Sequence, residues 1–255
     1  MGITLKFGNP KIALCFSGQP RTWRKCLESW KLHNVFTDNV DVFCHIWDFN
    51  TVPNCVAVGK DIKNQILPQD EINELLAILK PKKYLIEPVR TFTPIKESQP
   101  ITFSNFLSQF YGIMASARLK REYEIENMMQ YDIVIRMRYD AFFTDSIFPN
   151  QQVHLPQDNT MYCHHLAWNH LLNRGRIGDI FWYADSQTYD IIGDYYLNLN
   201  SVELKFVKDF NEHEIFFHYI KKNNIQLNIN NWDIKLFRES SELAFSKDKN
   251  GFETW

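Results

Sequence analysis

The 255-residue chain contains no CxxC pair, and its five cysteines (Cys15, Cys26, Cys44, Cys55 and Cys163) are an odd number without paired spacing. That argues against a zinc ribbon or a dithiol redox motif and fits a reducing compartment. No stretch approaches the roughly 20 consecutive apolar residues that a membrane-spanning helix needs. The opening MGITLKFGNP lacks the apolar centre of a secretory signal, and Lys6 stands where a myristoylation pattern wants Ser or Thr. A cytoplasmic location is therefore expected. Charge of one sign is not in excess either: 28 Lys plus Arg face 30 Asp plus Glu, a formal charge of −2. Such a balance gives no general field for nucleic acid or an anionic membrane, so any phosphate binding must be local. Neither a P-loop nor GxGxxG occurs, and there is no internal repeat, low-complexity tract or linker. One domain spanning 1–255 is the expectation.

What the chain does have is apolar and aromatic: 45% and 15% of residues. Those fractions exclude a disordered chain and allow a substantial core. KIALCFSG (11–18) reads as a buried strand that leaves into a loop, followed by a helical pattern over 20–33 on Trp23, Leu27 and Trp30. VDVFCHIWD (40–48) is a second buried strand. Pro68 precedes an amphipathic helix with Ile72, Leu75, Leu76 and Leu79 on one face, stopped by Pro81. KYLIE (83–87) is a third strand, and 88–100 reads as a proline-bearing loop. A longer helix begins at Thr102, an N-cap by type, with a stripe of Phe103, Phe106, Leu107, Phe110, Ile113, Met114 and Ala117. YDIVIRM (131–137) is a fourth strand. Repeated strand-then-helix units with β-branched strands imply an α/β fold with a mostly parallel central sheet flanked by helices. Further on, 144–178 reads as loops with one short strand, 179–185 as a strand, 186–198 and 212–222 as helices, and 225–229 as a half-exposed strand.

Ligands of such sheets bind beyond the carboxyl ends of the strands. The first strand ends in Ser17-Gly18-Gln19-Pro20-Arg21, where glycine lets backbone approach a ligand and Arg21 offers a planar donor fork for phosphate. An ordinary strand-to-helix turn with a surface arginine has the same pattern. The fourth strand ends in Arg136-Met137-Arg138-Tyr139-Asp140. Residues two apart in an extended segment share a side, so Arg136, Arg138 and Asp140 are expected to point together. Two arginines and a carboxylate there form either an internal salt bridge or a site where Asp140 holds Mn²⁺ or Mg²⁺ and the arginines hold anionic groups. At the second strand's end, His45-Ile46-Trp47-Asp48 offers Trp47 as a stacking face or as a core residue. Acidic candidates follow: Asp179 at the start of a strand, and Asp209, Glu212 and Glu214 around a helix start, where carboxylates are favoured in any protein. His164, His165 and His170 read as a polar loop rather than a zinc site.

Taken together, IALCFSGQPRTW, DVFCHIWD, SQFYGIMASARLKREYE with YDIVIRMRYDAFF, IGDIFWYADSQTYDII and NEHEIFFHYIKKNNI resemble small glycosyltransferases of the GT-A fold. Such enzymes occur in bacterial surface-polysaccharide loci and in large DNA viruses. The resemblance runs in order from about residue 11 to 230. It implies a nucleotide-binding half at about 11–143 and an acceptor-side half at about 144–255. It also implies transfer of a sugar from a nucleotide-diphosphate donor, UDP-sugar first and GDP-sugar second, to a glycan, glycolipid or glycoprotein acceptor. By the same resemblance Ser17, Gly18, Gln19, Arg21, Trp47, Arg136 and Arg138 would line the donor pocket, and Asp140 would be the last acid of a metal-binding DxD motif. Asp179 and Glu214 would lie on the acceptor side as candidate catalytic bases, required if the reaction inverts configuration and not if it retains it. The sequence departs from that motif at its first acid, where Arg138 stands. Competing readings are a sulfotransferase or small kinase, against which the absence of a lysine- or glycine-rich loop counts, and a non-catalytic carbohydrate-binding relic.

Overall fold

The computed structural model describes residues 10–33, 35–36, 39–52, 63–88, 90, 92, 102–144, 155–164, 166–169, 174–201, 212–229, 232 and 234–236. Seven strands form one sheet: β1 (Ile12–Gly18), β2 (Val40–Trp47), β5 (Lys83–Glu87), β6 (Ile133–Met137), β8 (Thr160–Cys163), β11 (Phe181–Ala184) and β12 (Gln226–Ile229). Their spatial order is β12-β8-β11-β6-β1-β2-β5. β11 runs antiparallel to both neighbours, and every other pairing in this sheet is parallel. The expected α/β architecture with a mostly parallel sheet is present, and the sheet draws strands from both halves of the chain.

Period-two alternation explains why the sheet is covered on both faces. In β1, Ala13 and Cys15 face one cluster while Ile12, Leu14 and Phe16 face the other. The first cluster packs under helices α3 (Thr102–Glu126), α4 (Ser186–Gly193) and α5 (Glu212–Lys222) through Phe106, Phe110, Ile113, Ile192, Ile215 and Phe216. The second packs under α1 (Trp23–Leu32) and α2 (Gln69–Leu79) through Trp23, Trp30, Leu75 and Leu79. α1 is anchored by Trp30 Nε1, which donates to the Ala141 carbonyl at 2.6 Å. α2 stops at Leu79 because Lys80 turns left-handed (φ 45°) and its N–H closes on Leu76 O at 2.8 Å. Pro81 follows that turn.

Short elements escape the periodicity. β3 (Phe49–Val52) pairs antiparallel with β4 (Lys63–Ile66), β9 (Leu166–Asn169) with β10 (Arg174–Ile177), and β7 (Ala141–Phe143) with β13 (Ile234–Leu236). The stretch expected to hold one short strand thus carries β8, β9 and β10. The helix expected over 186–198 divides into α4 and a 3₁₀ segment, Asp194–Ser201. Asp185 caps α4, its Oδ1 accepting from Thr188 N at 2.9 Å. Thr102 is the first helical residue of α3 rather than its N-cap. Most of the proline-bearing stretch 88–100, with Cys55, His165, His170 and Asp209, lies outside the described residues, as do the side chains of Trp168 and Glu212.

Beneath α4 lies a fully buried lysine. Lys120 Nζ donates to Glu124 Oε2 at 2.9 Å and Ser186 Oγ at 2.6 Å, and pairs with Asp190 Oδ1 at 2.8 Å. Glu124 also accepts from Ser186 Oγ and from Tyr131 N. Buried charge on this helix is matched by partners on α4, which fixes how α3 and α4 dock.

Candidate active site

Numbered among themselves in chain order, the strands of the large sheet run 3-2-1-4-6-5-7 from the β5 edge. The order reverses between β1 and β6, and the space beyond their carboxyl ends is the usual ligand position in an open α/β sheet. The two segments singled out in the sequence, Ser17–Arg21 and Arg136–Asp140, meet at this point.

β1 leaves the sheet through Gly18, whose φ of 118° suits only glycine. Among the described residues a Cβ built there would meet nothing within 4 Å, so there is open space beside the backbone at this turn. Arg21 is left-handed as well (φ 49°), a conformation that costs a non-glycine residue about 1 kcal/mol. Three bonds offset that strain. Its N–H donates to Asn50 Oδ1 at 2.8 Å, Nε to Gln19 Oε1 at 3.1 Å, and Nη1 to Asp140 Oδ2 at 3.0 Å.

β6 ends at Met137, and Tyr139 and Asp140 form a turn. Side-by-side alternation therefore does not carry through to Asp140, and the expected trio divides. Arg136 stays in the strand on the face toward α3, fully buried, with Nη1 donating to Ile180 O at 3.2 Å. Arg138 reaches Asp140 with two bonds, Nε to Oδ1 at 2.8 Å and Nη2 to Oδ2 at 3.0 Å. Its third nitrogen, Nη1, donates to Asp179 Oδ2 at 2.8 Å. The register that pairs Met137 with Phe181 continues as Arg138 N–H to Ile180 O, which brings Asp179 beside Arg138. Gln109 of α3 completes the group, Nε2 donating to Asp179 Oδ2 at 2.5 Å.

Burial works against every charge here, and the neighbours decide the outcome. Burial pushes Arg136 down to about 10, yet it stays a cation at neutral pH. Burial also lowers Arg21, against the opposing pull of Asp140. For Arg138 the Asp140 and Asp179 carboxylates outweigh burial and raise it. Asp179 is held well below the ordinary carboxylate range: burial alone would raise it, but Arg138, His213 and Arg136 prevail. A depressed folded-state value stabilises the fold fully above about pH 4, and the contribution drains away as pH falls toward that value. Acid unfolding followed by circular dichroism should therefore show a limb below about pH 4 that shrinks in Asp179→Asn.

A second polar group lies at the ends of β2 and β5. His45, fully buried, shares Nε2 with Glu87 Oε2 at 3.1 Å, and Glu87 Oε1 accepts from Tyr111 at 3.1 Å and from Arg90. The His45 bond and the Tyr111 bond bring Glu87 below its ordinary value despite partial burial. Across the strand pair, the buried Ser17 Oγ and His45 Nδ1 have no hydrogen-bond partner among the described residues. Both lie close to Gly112, where an added Cβ would sit 3.0 Å from Nδ1. Trp47 belongs to this packing, stacked on Tyr111 at 5.7 Å and 1% exposed. Its faces are covered by protein, so of the two readings of Trp47, stacking face or core residue, the packing favours the core. Trp182 is a core residue as well, against Tyr189.

At the start of α5, His213 Nδ1 binds the Ile177 carbonyl at 2.8 Å and ties that helix to the strand leading into Asp179. Glu214, the next residue, is buried at 4% exposure. Gln109, Glu87 and Asn50 join the sequence-derived candidates; only their polarity beside apolar positions announced them.

The site suits a divalent cation poorly. Both Asp140 oxygens are engaged by guanidinium groups, the acid that would stand two residues earlier is Arg138, and Arg138 also holds Asp179. Among the described residues, no group of three His, Cys, Asp or Glu side chains forms a metal-ion site.

No protein-family profile and no curated protein sequence matches the chain. Solved structures similar to it include the glycosyltransferase GlyE of Streptococcus pneumoniae TIGR4, at 11% identity and a TM-score of 0.42 over 86% of this chain and 45% of that one. The galactosyltransferase LgtC, solved with donor and acceptor sugar analogs, is similar at 11% identity and a TM-score of 0.43, covering 85% and 72%. A glycosyltransferase involved in glycosylating the major capsid of PBCV-1 gives 10% identity and a TM-score of 0.38, covering 87% and 81%. The chain spans less than half the length of GlyE.

Proposed function

We propose that the protein is a glycosyltransferase that moves a sugar from a nucleotide-diphosphate donor, UDP-sugar in the first instance, to a hydroxyl of a glycan acceptor. The observation that carries the reading is the guanidinium pair, Arg21 and Arg138, gathered on Asp140 at the switch point of the sheet and beside the open Gly18 turn. Helix α1 begins just past that turn, so its N-terminal end adds a favourable field for phosphate.

In the reaction the bond between the sugar's anomeric carbon and the diphosphate oxygen breaks, and the electron pair leaves with the nucleoside diphosphate. A new bond forms from the acceptor oxygen to that carbon, and the hydroxyl proton must leave. The guanidinium groups meet the charge growing on the departing diphosphate. Asp179 is a weak base, because Arg138 and Gln109 both occupy Oδ2; we assign it the positioning of Arg138. For an inverting transfer, which needs a base, Glu214 is then the proton acceptor. Glu214→Gln should lower the transfer rate about tenfold or more, a general-base contribution. A rate within about twofold of the parent chain removes it from that role.

A kinase or sulfotransferase has less support, since the β1 turn has neither lysine nor a second glycine. A carbohydrate-binding relic has no use for buried arginines aimed at a strand end. Thermal shift against UDP-, GDP- and CMP-sugars tests the choice. Stabilisation by a sugar nucleotide, with nucleotide release on adding acceptor, supports transfer; response to ATP or a sulfate donor alone overturns it. We place the enzyme in a reducing, cytoplasmic setting on its buried free thiols Cys15, Cys26 and Cys44, each pushed up to about 12 by burial. Among the described residues no helix is long and apolar enough to cross a membrane.

A further inference from the structure

Building on the glycosyl-transfer reading, we infer that the donor diphosphate is neutralised by Arg21 and Arg138 without a divalent ion, and that Asp140 is the anchor holding both guanidinium groups in place. Three arginines, Arg21, Arg136 and Arg138, stand against two carboxylates, Asp140 and Asp179, all of them half-buried or buried. Among these five side chains positive charge is one in excess before any ligand arrives. A divalent cation entering the cluster meets repulsion, whereas a diphosphate meets attraction, strengthened by the burial of these side chains.

Geometry points the same way. Arg21 and Arg138 keep 17% and 15% of their side chains exposed, while Asp140 keeps only 2%. The cations are therefore the outward members of the cluster and the carboxylate lies behind them. Arg21 uses Nε and Nη1 on protein acceptors, so Nη2 retains N–H donors for a ligand. Arg138 spends one hydrogen of each terminal nitrogen on Asp140 and Asp179 and retains the others. A planar fork of this kind matches phosphate oxygens, and the Gly18 backbone lies alongside. Arg136, buried behind, adds positive potential without touching the ligand.

The test is binding of UDP to the full chain by isothermal titration calorimetry, once in excess EDTA and once in excess Mn²⁺, with GDP and uridine alongside. UDP affinity should agree within about threefold between the two conditions. Arg21→Gln and Arg138→Gln should each weaken UDP about tenfold or more, as loss of a charge-assisted contact does, and leave uridine unchanged. Asp140→Asn should change UDP affinity by the same factor in EDTA and in Mn²⁺, because it loosens two guanidinium groups rather than removing a metal ligand, while transfer falls. Arg21→Gln guards against misfolding of Arg138→Gln, since Arg21 stands at the rim with no second carboxylate depending on it. UDP binding that needs Mn²⁺ by more than about tenfold, and that disappears in Asp140→Asn, overturns the inference and keeps the transferase reading. A folded chain that binds neither UDP nor GDP under either condition overturns both.

Discussion

Replacing Asp140 with alanine is expected to lower sugar transfer about 100-fold or more, the scale of losing preorganised charge in an active site, while the chain still folds. The carboxylate holds Arg21 at 3.0 Å and Arg138 at 2.8 and 3.0 Å, so one deletion frees two cations at once. Freed side chains of that length must be ordered again in each transition state, and orientation is where much of the rate resides. The fold survives because Arg138 retains Asp179 and both guanidinium groups have some access to water. Nucleotide release from a UDP-sugar, measured beside a melting curve, reads both halves of the expectation. A folded variant with full activity removes Asp140 from its assigned role.

The second large effect falls on stability. Lys120→Met should cost about 3 kcal/mol, because removing one partner of a buried ion pair strands the other. Glu124 and Asp190 lose their shared cation; Glu124 keeps only Ser186 and Tyr131 N, and Asp190 keeps Arg121. For a chain of this size the melting temperature should fall by about 6–12 °C. Differential scanning calorimetry gives the answer, and an unchanged melting temperature would mean that the lysine has no share in docking α4. The double variant Lys120→Met with Glu124→Gln should recover part of the loss, since it removes one stranded charge.

The centre of the sheet was legible because its inner strands, β1 and β6 above all, are apolar and buried on both faces. IALCFSG and IVIRM can be little else, and KYLIE falls on β5 residue for residue. The β3–β4 hairpin was not legible, since FNTV and KNQI mix polar and apolar residues without alternation over only four positions. β7 and β13 are three residues each and meet across some ninety residues of chain, a pairing that no local pattern encodes. In the site, the residue types at the ends of β1 and β6 were readable, but their arrangement was not. Where β6 yields to a turn is decided by tertiary contacts, and that point separates Arg136 from Arg138 and Asp140. Gln109 stayed hidden because α3 was read by its apolar stripe; it lies between Phe106 and Phe110, on the flank of that stripe. Glu87 was hidden as the last letter of a strand, although a carboxylate buried there demands a partner such as His45.

The reversed direction of β11 has a bearing on how such a protein can diversify. Every other strand of the sheet ends at the edge where Arg138 and Asp140 lie, whereas β11 begins there, just after Gly178 and Asp179. Segments arriving at β11 and segments departing from β6 thus share one doorway. Lengthening or exchanging the arriving segments would reshape the entrance for incoming acceptors, while the cationic cradle on β1 and β6 keeps its place.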